Sequence, residues 1–186
     1  MNEATLNLIT DLALPSVAII ISTLVAVSIA RWERKAAAAA RRDERIDQAF
    51  VRVLVALATL NTINMRVETV AEPLRELRVG LSLLVDADVS QHQELVGEWF
   101  EAERLAGAAQ SRVVMRNLET VPKNPYTEAE IERVVQAGGP INSWARDFAS
   151  NLRVWRRSGA TKEQLLQLTE GAKLMREKAI GEVNGG

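Results

Sequence analysis

Cysteine is absent from the 186 residues, and histidine occurs once, at His92. The first absence excludes a disulfide framework, a thiolate metal site, iron–sulfur ligation and a thiol nucleophile. The second excludes a two- or three-histidine metal centre within one chain. Excess charge is missing too: the net is −1, which argues against a generally basic nucleic-acid binder. No GxxxxGK[ST] or GxGxxG loop is present to cradle a phosphate. No stretch sustains the apolar–polar alternation of a strand, and no internal repeat is evident. His92 stands in a polar run near a helix start, where a surface role is expected. Asp86, Asp88 and Glu94 match no calcium-loop spacing and read as turn and helix-start charges. These absences point away from an enzyme. No catalytic residue, cofactor, metal or small-molecule substrate is expected, and the chain reads as a binding or scaffolding part.

What is present is a folded composition, 47% apolar and 25% charged, with the charge segregated along the chain. Residues 1–30 carry only Glu3 and Asp11. Residues 31–45 carry six basic and three acidic side chains, residues 46–150 ten and fifteen, and residues 151–186 seven and four.

Leu12 to Ala30 contains no charge. Nineteen helical residues span about 28 Å, close to a hydrocarbon core of about 30 Å. Pro15 falls in the first turn, where a missing N–H costs little. Arg31, Trp32, Arg34 and Lys35 follow as a positive, aromatic membrane-interface collar. The start is acidic and polar and the basic cluster comes after the apolar run, the reverse of a cleaved signal peptide. The positive-inside rule then places residues 1–11 outside and the bulk of the chain in the cytoplasm. With its Ala, Arg and Val usage, this predicts a single-pass protein of a bacterial inner membrane, with residues 31–45 as a basic neck.

Ala36–Ala40 is strongly helix-forming, and neither Pro nor Gly appears between Arg31 and Glu72. The anchor is therefore expected to run on as a cytoplasmic helix. Two heptad rows follow: Val53, Leu60, Val67, Leu74, Leu81, and Phe50, Leu57, Asn64, Ala71, Arg78. Val53, Leu57, Leu60, Asn64, Val67 and Leu74 form a candidate oligomer seam, with Val55, Ala56, Ala58 and Ile63 widening it toward a bundle. Pro73 demands a break near residues 68–73, with Thr69 and Glu72 spaced as a capping box. Ser90 is a candidate N-cap for a helix to about Glu119, completing a long hairpin over 46–120. Apolar and small residues Leu95, Trp99, Ala102, Ala106, Ala109 and Val113 mark its packed face, with Glu94, Glu98 and Glu101 beside it.

A helical subdomain is expected over 121–181, with a frayed tail at 182–186. Thr127 with Glu130, and Thr161 with Gln164, are capping boxes. Gly138, Gly139 and Pro140 read as a stop before a helix over 142–157. That helix places Trp144, Phe148, Leu152 and Trp155 on one face and Arg146, Arg153 and Arg157 opposite, with Arg156 between. The four arginines are candidate partner- or lipid-binding residues, and the acidic stripe is a possible counterpart.

The expected fold is all-α: a single transmembrane helix continuing into a cytoplasmic helical bundle with partial coiled-coil character. The expected role is a membrane-anchored scaffold, adaptor or regulatory interaction protein, with membrane lipid and a protein partner or second copy as contacts. The alternatives are a membrane-perturbing effector, phage-encoded or defence-related, and then a tethered enzyme or nucleic-acid module.

Overall fold

The computed structural model describes residues 14–63, 65–66, 68–88, 90–123 and 127–185, with side chains described at 24 and from 26 onward. The described residues form six helices and no strand: α1 Leu14–Thr62, α2 Ala71–Ala87, α3 Gln93–Glu119, α4 Glu128–Ala137, α5 Gly139–Ser158 and α6 Lys162–Asn184. The all-α expectation holds. The chain divides into two compact units, Met1–Glu44 and Arg45–Gly186, and α1 contributes residues to both.

In the first unit, residues 26–44 of α1 are exposed throughout, as is Leu24. Among the described residues no helix is long and apolar enough to cross a membrane. Most of the uncharged run at 12–30, and all of 1–11, lie outside the residues whose side chains are described.

The second unit is a bundle around α3. At about 100° per residue, the buried side chains of α3, from Val96 to Val114, cover about 200° of its circumference. A helix buried over so wide an arc needs neighbours on several sides. α5 runs antiparallel to it, since Glu103 meets Trp144 while Trp99 meets Trp155. α6 runs parallel: Glu98 faces Lys173 near one end, and Ala109 and Val113 pack with Ala179 at the other. α2 returns antiparallel, with Gln93 Nε2 donating to the Val85 carbonyl at 2.8 Å. Against α2 lies the last part of α1, where a Cβ on Gly80 would stand 2.6 Å from Val53 Cγ2. Glycine permits that approach.

Several local sequence expectations differ from the structure in detail. α1 ends at Thr62, ahead of the expected break. Thr59 and Thr62 hydroxyls bond back to the carbonyls of Val55 and Ala58, and the Asn-Thr-Ile stretch is a weak helix former. Thr69 and Glu72 form no capping box: α2 has Val70 at its N-cap, and Thr69 Oγ1 accepts from the Ala71 N–H at 3.2 Å. Pro73 still falls in the first turn, where it is tolerated. Ser90 does not cap α3; its hydroxyl and N–H both donate to Asp88 at 2.9 Å, closing the turn. α4 ends at Ala137, at the expected stop, but α5 begins at once at Gly139 rather than near 142, with Pro140 in its first turn. α6 continues to Asn184 into the expected tail. There the Arg116 guanidinium donates to the carbonyls of Glu182 and Val183, satisfying groups a helix end leaves unpaired.

Candidate functional site

α5 joins the buried core to a basic surface. On its inner side Trp144, Phe148 and Leu152 are essentially inaccessible. They meet Trp99 and Phe100 of α3 in an aromatic cluster, with the Trp99 and Phe148 rings edge-to-face at 5.7 Å. Trp155, half-buried, closes the cluster 5.4 Å from Phe100. Such offset and edge contacts place positive ring edges on negative faces.

Glu103 is buried beside this cluster, 6% exposed. Trp99 Nε1–H donates to its Oε1 at 3.1 Å and Trp144 Nε1–H to its Oε2 at 3.0 Å. The carboxylate thereby ties α3 to α5 and satisfies two buried indoles at once. Burial pushes Glu103 up to about 7; the indole bonds oppose that shift and the Asp147 charge adds to it. Gly107, one turn on, lies under the Trp144 ring, where a Cβ would overlap the six-membered ring.

The outer side of α5 carries the arginines. Arg146, Arg153 and Arg157 are exposed in a row, with Arg146 3.5 Å from its neighbour Asp147. Arg156 turns away from the row to pair with Asp47 of α1 at 2.8 Å, so its charge serves the fold. The acidic stripe does not pair with this row. Glu101 is bonded to Arg104, which holds its carboxyl below the usual range, and Glu98 lies toward Lys173 of α6.

Beside Trp155 a half-open cleft of about 1220 Å³ lies between α3, α5 and the start of α6. Leu84, Val96 and Leu165 provide apolar lining, and His92, Arg156 and Lys162 are among its polar groups. His92 is half-buried there, next to Gln91. Among the described residues no group of His, Asp and Glu could hold a metal ion.

The other sequence candidates separate. Arg31, Trp32, Arg34 and Lys35 are all exposed on α1, Trp32 by 76%. Of the candidate oligomer seam, Val53, Leu57 and Leu60 are buried by the chain's own helices, at 0–1% exposure. Leu74 is partly buried against the same core. Asn64 and Val67 lie outside the described residues.

Sequence reasoning missed Glu103, Arg66 and Arg116. Arg66 reaches the carbonyls of Leu118, Val121 and Pro122 and closes the end of α3. The available signal for Glu103 was an acid four residues after Trp99, on the same helix face as Val96 and Gly107. Comparison with family models, curated proteins and solved structures finds no match to this chain.

Proposed function

We propose that the chain is a membrane-anchored helical adaptor that binds a protein partner through the second unit. The observation carrying the anchor is the exposure of Leu24, Val27, Ile29 and Trp32 on α1. Bulky apolar side chains displayed together along one helix favour a lipid environment over water. The uncharged run from Leu12 to Ala30, which contains Leu24, Val27 and Ile29, is nineteen residues long, close to the length of a span, and the positive collar favours an N-out, single-pass arrangement. Confinement to a membrane raises the effective concentration of the second unit for partners in that plane. The exposed row Arg146, Arg153 and Arg157 supplies a recognition surface for an acidic partner.

The anchor is tested by carbonate extraction of membranes from cells expressing the full chain. Retention in the pellet is expected, with release on deleting residues 1–30; a full chain that washes off defeats the anchor. For the adaptor role, Arg153→Glu with Arg157→Glu should reduce crosslinks from α5 to neighbouring proteins on those membranes while leaving helicity intact. An unchanged crosslinking pattern removes the row from the account.

A further inference from the structure

A carboxylate inside an apolar bundle is costly to ionise unless a cation or several donors compensate it. Glu103 has two indole N–H donors, one from its own helix and one from α5. Basic groups of the neighbouring helices serve other carboxylates. On α3, Arg104 is bonded to Glu101. On α6, Lys173 is bonded to Glu170 and acts on Glu98. On α2, Arg78 acts on Glu101, and on α1, Arg52 pairs with Glu76 while Asp47 pairs with Arg156. From α5 the charge acting on Glu103 is Asp147, of the same sign, with Arg146 beside that aspartate.

We propose that Glu103 is a proton-operated latch for the seating of α5 on α3. With the proton bound, a neutral carboxyl bridges Trp99 and Trp144. With the proton released to solvent, the core holds a negative charge that two neutral donors offset only in part, and α5 is held less tightly. Two features of the geometry favour this over a purely structural bridge: the carboxylate connects two helices rather than adjacent turns of one, and its donors are neutral. Its elevated proton affinity sets the changeover near neutral pH. Because α5 also carries the arginine row and one wall of the cleft, protonation governs how firmly that surface is presented. The latch rests on the second unit alone and stands whether or not the chain is anchored.

The test is urea unfolding of the full-length chain, followed by tryptophan fluorescence from about pH 5 to about pH 9. The unfolding equilibrium constant is expected to rise on the order of a hundredfold across that range, and Glu103→Gln should flatten the dependence. Asp147→Asn, at an exposed position, should move the changeover to lower pH by removing a like charge. Trp144→Phe should move it to higher pH by removing a donor to the carboxylate. His92→Gln removes the chain's only imidazole and should leave the changeover in place. These shifts keep the test decisive even where Glu103→Gln fails to fold, since loss of packing alone would not move the changeover in opposite directions. A flat wild-type profile, a changeover unmoved by Asp147→Asn, or one abolished by His92→Gln overturns the latch.

Discussion

At the residue scale the junction of α3 and α5 depends on one missing side chain. Gly107 leaves the space that the Trp144 ring fills, and only with the ring there can its Nε1–H reach Glu103 at 3.0 Å. A methyl group at 107 has to displace a buried ring that is also hydrogen-bonded, so the strain cannot be relieved at a flexible side-chain end. Gly107→Ala should therefore destabilise by about 1–3 kcal/mol, the usual range for overpacking, despite its better helix propensity. The measurement is a lower urea midpoint with unchanged slope. An unchanged midpoint would show that α5 shifts freely over α3. Sequence periodicity placed Trp144 and Phe148 on an inner face, and there they are. It did not place Glu103, because an acid near Glu101 reads as another member of a solvated stripe. Only the partner helix, distant in sequence, reveals which carboxylate turns inward.

At the element scale, local signals were legible where the hydrogen bonds they imply are local. Both Thr127–Glu130 and Thr161–Gln164 form reciprocal capping boxes. Thr69 and Glu72 have the same spacing, yet the helix begins with Val70 as its cap, and the Thr69 hydroxyl instead accepts from the Ala71 N–H. The two true boxes should differ in consequence, since their helices differ in tertiary support. α4 buries only Ala137 and exposes Ile131 and Val135, whereas α6 packs along α3 and buries Leu165, Thr169, Ala172 and Ala179. Each Thr→Ala change removes a cap of about 1 kcal/mol. Thr161→Ala should lower the global urea midpoint. Thr127→Ala should leave it nearly unchanged and speed amide exchange within α4 alone. Equal effects on global stability would mean that α4 is more firmly integrated than its burial indicates.

At the scale of the whole molecule, two properties follow from where the core is drawn. Every side chain of the main hydrophobic cluster lies at or beyond Ile46, although the first unit supplies much of the same helix. Of the heptad rows, Val53, Leu57, Leu60 and Leu81 belong to this core; periodicity alone does not distinguish an intrachain groove from an interchain one. The pH dependence of the core has a definite sign. Glu103 is raised from 4.5 to about 7 on folding, so its contribution is fully present below the unfolded value and is lost as pH rises through 7. That amounts to about 3 kcal/mol at 1.36 kcal/mol per unit. Glu101 is depressed by Arg104 and works oppositely, with a contribution present above its unfolded value and lost as pH falls. Stability should therefore be greatest in mildly acidic solution, between these two effects. Since both carboxylates and the cluster around them belong to the second unit, a fragment of residues 45–186 should fold alone. It should unfold cooperatively, with the same mildly acidic optimum as the full chain. Loss of near-ultraviolet tryptophan dichroism in that fragment, with far-ultraviolet helicity retained, would show that packing of the bundle needs the first half of α1.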